Sequence, residues 1–173
     1  DDGFEWVYRN PLVHAAFEAE LDAFKPDVVH VHHLTSLSTT IMETLKARGI
    51  PVVFSLHDFW TVCPRGQRID NDLRICERID RNKCYTCLGG MWPDWFPDRL
   101  AEPTVVGADG ELAPRNLADW DRHMRYILDL ADICLTPSEF HRRRMLEFGL
   151  DPERITALAL SLIHISEPTR LSV

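Results

Sequence analysis

Two short apolar runs constrain this chain more than any other feature. Val28 to Val31 and Pro51 to Leu56 are rich in β-branched residues, too short for helices, and each leads into histidine. Strands that are apolar on both faces belong to parallel sheets covered by helices. Parallel neighbours also need a long crossover, usually helical. The flanking segments supply the helices. Leu12, Val13, Ala16, Phe17, Leu21 and Phe24 recur at helical spacing after Asn10, an N-cap residue, and Pro11. Lys25-Pro26-Asp27 ends that helix. Leu37, Ile41, Met42 and Leu45 mark a second, with Ser36 or Ser38 as cap and Gly49 as stop. Leu117, Trp120, Met124, Ile127, Leu128 and Ala131 mark a third, followed by a strand over Ile133 to Thr136. Ser138 caps a fourth helix that Gly149 ends, and Ile155 begins a fourth strand. This alternation predicts an α/β fold, a partial doubly wound, Rossmann-like parallel sheet.

From Phe59 to about Asn116 the periodicity dissolves, which predicts an inserted subdomain or lid. Four of the five cysteines fall there: Cys63, Cys76, Cys84 and Cys87, the last two in a C-x-x-C knuckle. Thiols at this density suit a tetrahedral structural zinc site, and a metal would help order a segment with little apolar content. Disulfides and reduced thiols are the alternatives. Cys134, mid-strand, reads as a small buried apolar residue.

In parallel α/β sheets, ligands bind at the carboxyl ends of the strands. His32, His33, His57, Asp58 and Ser138 all fall on that rim. His57 and Asp58 are the candidate catalytic pair. An imidazole there can exchange a proton near neutral pH, and the neighbouring carboxylate can orient a ring or hold a hydroxyl. His30 and His32 share one strand face, as in the H-x-H pairs of metal-dependent hydrolases. The favoured reading is simpler: His30 packs in the core and His32 lines the rim, because no carboxylate–histidine set completes a metal site. Neither G-x-G-x-x-G nor a Walker loop is present.

The net charge of −8 disfavours nonspecific binding to nucleic acid or anionic lipid. One basic cluster, His141 to Arg144, reads as a solvated helix face, with a patch for phosphate or lipid head groups as the sharper alternative. No apolar run approaches the ~20 residues of a membrane span, and Asp1 does not open a signal peptide. The chain opens without Met, so its natural start is expected upstream. Leu160 to Arg170 reads LSLIHISEPTR, the translation of a transposase-type sequencing adapter. Residues 160–173 are therefore expected to be a non-native tail, and residues 1–159 a piece cut at both ends.

Four stretches occur together in order: Lys25-Pro-Asp-Val-Val-His-Val-His-His33, Gly49-Ile-Pro-Val-Val-Phe-Ser-Leu-His-Asp-Phe-Trp60, Cys63-Pro-Arg-Gly66 and Ala131-Asp-Ile-Cys-Leu-Thr-Pro-Ser-Glu-Phe140. As a set, over about Asn10 to Ala159, they resemble the N-terminal domain of family 4 glycosyltransferases. These are retaining enzymes of the GT-B type, built from two Rossmann-like domains. The cysteine-bearing insert resembles one found in a bacterial subset. The resemblance implies transfer of a sugar from a nucleotide-sugar donor to a hydroxyl-bearing glycan or lipid-linked acceptor. Cell-envelope polysaccharide synthesis in the cytoplasm, with peripheral membrane contact, is the implied setting. It implies that this domain holds the acceptor and a second domain, absent from this sequence, holds the donor. His57 would lie beside the transferring sugar and Ser138 near the diphosphate, with His32 and His33 in substrate contact and no cofactor needed for the chemistry. The fragment alone is expected to be inactive. Two other readings remain open: a metal-dependent hydrolase using His30, His32 and His57, and a noncatalytic zinc-binding module centred on the cysteines.

Overall fold

A computed structural model describes residues 3–158, so the expected tail lies outside the described residues. In chain order the elements are α1 (Pro11–Phe24), β1 (Val29–Val31), α2 (Thr40–Ala47), β2 (Val52–Ser55), α3 (Arg81–Gly89), β3 (Thr104–Val106), β4 (Leu112–Pro114), α4 (Arg115–Leu130), β5 (Ile133–Thr136), α5 (Glu139–Phe148) and β6 (Ile155–Ala157). Strands β1, β2, β5 and β6 form one parallel sheet in that order, and β3 with β4 makes a separate antiparallel hairpin.

Most of the expected caps operate. Asn10 Oδ1 accepts from the Leu12 and Val13 amides, and Ser138 Oγ from the His141 amide. Gly49 and Gly149 adopt φ of 67° and 106°, where an L side chain would be strained. The second helix differs. Its N-cap position is Thr39, which makes no side-chain cap. Ser38 is buried, and its hydroxyl accepts instead from the Asn10 amide at 3.1 Å, joining the start of α1 to the start of α2.

The two faces of the sheet are unequal. Val31, Phe54, Cys134 and Ile155 stand in register across all four strands and are buried. Full burial of an aliphatic or aromatic side chain contributes roughly 1.5–3 kcal/mol. On the other face, in the adjacent register, His30 is exposed, Val53 half-buried and Ile133 47% exposed. This corrects the expectation of helices over both faces. Neighbouring strands follow one another in sequence, and right-handed crossovers between such neighbours put every connection on the same side. The four described strands form the parallel, helix-flanked part of a Rossmann-like sheet, as expected. The α/β parallel class itself holds.

The insert is less shapeless than its sequence. It carries α3 and the β3–β4 hairpin, and the C-x-x-C lies within a helix rather than on a knuckle. Tyr85, Leu88 and Phe96 are buried in the common core, where Phe4, Tyr8, Trp60 and Trp120 cluster with ring centroids 4.9–5.6 Å apart. Arg81 fastens the insert to α4. Its guanidinium donates to both Asp121 carboxylate oxygens and to the Val62 carbonyl. Burial works against the Arg81 charge, but the facing Asp121 carboxylate outweighs it and raises the pKa.

Candidate functional site

β1 and β2 run parallel, so their carboxyl ends deliver His32-His33 and His57-Asp58 side by side. Three side-chain bonds repeat with one offset of 25 residues: His30 to Ser55, His32 to His57 and His33 to Asp58. His30 Nε2 lies 2.9 Å from Ser55 Oγ, on the half-open face. It is exposed and not the core histidine expected. Burial, then the neighbouring His32 and His57, lowers its pKa. His32 Nδ1 and His57 Nε2 are 3.0 Å apart, so in the neutral pair one ring donates and the other accepts. The rings of His30 and His32 approach to 4.1 Å, and those of His32 and His57 stack at 5.3 Å.

Asp58 is more committed than its sequence neighbour. Its Oδ1 accepts from the Trp60 amide at 2.8 Å. His33 Nδ1 accepts from the Thr35 amide, which places the ring proton on Nε2, the atom 3.1 Å from Asp58 Oδ2. That bond orients His33 and spends the second carboxylate oxygen. Gly66 closes the arrangement. Its φ is 79°, and a Cβ there would lie 3.0 Å from Asp58 Oδ2.

A cavity of about 160 Å³ opens beside the histidines, lined by His30, His32, Ser55, His57, Thr136 and Pro137 among others. It is smaller than the ~300 Å³ at which ordinary ligand pockets begin, so it suits one part of a ligand. A larger cavity of about 650 Å³ contains none of these histidines. Trp6, Trp95, Asn116, Asp119 and His123 help line it. It shares the same rim: α4 ends just before β5 begins, so its first turns, with Asn116 and Asp119, lie at the strands' carboxyl side.

The model of the glycosyl transferase 4-like domain family matches residues 4–160, nearly the whole chain. The chain belongs to this family. No curated protein and no solved structure matches it significantly.

In this glycosyltransferase domain the Ser138 hydroxyl oxygen caps α5, next to Thr136 and Pro137 of the histidine cavity. Sequence reasoning missed His141. It was grouped with a solvated basic cluster, yet it is 3% exposed, packs 4.3 Å from the Phe59 ring, and burial brings its pKa to about 4. The rest of that cluster is largely neutralised, Arg142 by Glu139 and Arg144 by Glu77 and Glu147. The spacing of His141, Met145 and Phe148 on one helical face was the available signal. Cys63, Cys76, Cys84 and Cys87 are free thiols, and all four line one small cavity. Among the described residues no group of three or more His, Cys, Asp or Glu side chains is arranged, as it stands, to hold a metal ion. No described helix is long and apolar enough to cross a membrane. Family membership favours the transferase over the hydrolase reading, and the shared core and the Arg81–Asp121 bridge tell against a self-standing zinc module.

Proposed function

We propose that this chain is the acceptor-side domain of a retaining, two-domain GT-B glycosyltransferase that transfers a sugar, of hexosyl type, from a nucleotide-sugar donor to a hydroxyl acceptor. The observation that carries this reading is the His32–His57 pair at the tips of β1 and β2, beside a cavity too small for a whole ligand, in a chain of this family. The donor's sugar enters the histidine cavity, and its nucleotide is held by a second domain. His57 donates to a sugar hydroxyl or to charge developing at the leaving oxygen, an effect worth several kcal/mol in a site closed to water. His32 fixes the donor–acceptor sense of that ring. Asp58 acts through His33, whose ring it orients, and through the Trp60 amide it holds.

The aromatic cavity is the acceptor side. Indole faces at Trp6 and Trp95 suit the C–H face of a sugar, and Asn116 and Asp119 suit its hydroxyls. A glycan or lipid-linked acceptor of the cell envelope fits these features, which would place the enzyme at the cytoplasmic membrane surface.

The test uses the full-length enzyme with a panel of nucleotide sugars and envelope-derived acceptors. The product's anomeric configuration, read by NMR, should match the donor's. Inversion would reject the retaining mechanism, and no transfer with any donor that binds would reject the transferase reading.

A further inference from the structure

The four cysteines of the insert come from three separate stretches of backbone. Cys63 opens the turn closed by Gly66, and Cys76 follows the Ile69–Ile75 bridge. Cys84 and Cys87 stand one turn apart on α3, where residues three apart share a helix face. All four line one cavity of about 30 Å³ with Arg65, Asp70 and Lys83. A space of this size has room for about one water-sized occupant. Nothing in the sequence spacing of Cys63 and Cys76 requires them to meet the C-x-x-C pair. The fold brings them there.

The surroundings are cationic. Arg65 Nη1 donates to Cys87 Sγ at 3.0 Å, and Arg81 Nη1 to Cys84 Sγ at 3.7 Å. Lys83 pairs with Asp70 at 2.7 Å on the same wall. Donors of this kind stabilise sulfur that carries negative charge.

We propose that Cys63, Cys76, Cys84 and Cys87 form a tetrathiolate site for a single Zn²⁺ ion, which fastens the insert to the rim of the sheet. Binding exchanges four thiol protons for one divalent cation, so the cluster carries two negative charges, which face Arg65 and Arg81. No electron changes hands. The thiols line the cavity without converging on one point, so binding the ion requires them to draw together. Four protein ligands leave no open position, which makes the site structural. Its reach extends to Asp58. The Cys63 turn ends at Gly66, whose carbonyl accepts from the Phe59 amide and whose Cα packs on the Asp58 carboxylate.

This proposal stands apart from the transferase reading, since the test needs no activity. The full chain is purified without chelator, refolded with Zn²⁺, and its metal content measured by mass spectrometry. About one zinc per chain is expected, with Co²⁺ substitution giving sulfur-to-metal charge-transfer absorption and the d–d bands of a tetrahedral site. Changing both Cys84→Ser and Cys87→Ser should remove the metal, while Cys134→Ser, in the buried strand row, should retain it. Under a tenth of an equivalent of zinc in the wild-type chain would overturn the proposal. So would zinc retained by the double variant, or a native mass showing two disulfides.

Discussion

The strand-tip histidines and the insert cysteines begin only six residues apart, at His57 and Cys63, yet they are held in different ways. The histidines are placed by the parallel ladder of β1 and β2, so three side-chain bonds repeat with one offset. Shifting one of them means shifting a strand whose Val52, Phe54 and Leu56 are buried. The cysteines ride on turns and a short polar helix, fixed to the body by Tyr85, Leu88 and one buried ion pair. The parallel ladder is enough to set the histidine row. The insert needs added fasteners to keep its place.

The largest effect of a single substitution should come from cutting the insert's main fastener. Asp121→Ala leaves Arg81 buried and uncompensated, and breaking such a pair costs about 3–5 kcal/mol. Chemical denaturation should show that loss, and hydrogen exchange should show it concentrated in residues 59–114. Equal loosening of β1 and β2 would break the distinction between the two regions.

Acid should act next. Burial lowers His123 and His141 to about 4, well below the ~6.5 of an exposed imidazole. A histidine with a depressed folded pKa stabilises the fold above the unfolded pKa and loses that contribution as pH falls toward the folded one. Stability should therefore drop from pH 6.5 to 4, by up to about 1.4 kcal/mol per pH unit for each group. In a His123→Gln, His141→Gln variant that slope should flatten in urea titrations at several pH values. An unchanged slope would remove both residues from the account.

Gly66→Ala tests the junction itself. A positive φ alone costs about 1–2 kcal/mol for a residue with a Cβ, and the new methyl meets Asp58 Oδ2. The unfolding midpoint should fall by that amount, and the His33–Asp58 bond should weaken in the imidazole NMR spectrum. The smallest effect belongs to Ser138→Ala, which removes only the α5 cap. About 1 kcal/mol of stability should go, with little change in turnover.

The sheet was legible because its signals are local. Val28 to Val31 and Pro51 to Leu56 read as strands, and the Asn10, Ser138, Gly49 and Gly149 punctuation reads without tertiary information. The half-open face was not legible, because it depends on strand order, which no stretch of residues reports. The helix in the insert escaped for a different reason. Its core-facing residues are Arg81, Tyr85 and Leu88, and the first of these is buried only because Asp121 lies 40 residues away. His141 was misjudged among three arginines for the same kind of reason, since its partner ring, Phe59, lies across the fold. At the candidate site the sequence placed His32, His33, His57 and Asp58 on one rim. It could not show that they pair, since each pair bridges two strands.

In the proposed function the rigid histidine row, rather than the insert, carries the transfer chemistry. Steady-state kinetics and thermal unfolding of His57→Ala in the full-length enzyme test it most directly. The account predicts a kcat lowered about 10²- to 10³-fold, the loss expected on removing one stabilising donor, with an unfolding midpoint close to wild type. A kcat within twofold of wild type in a folded variant would contradict it.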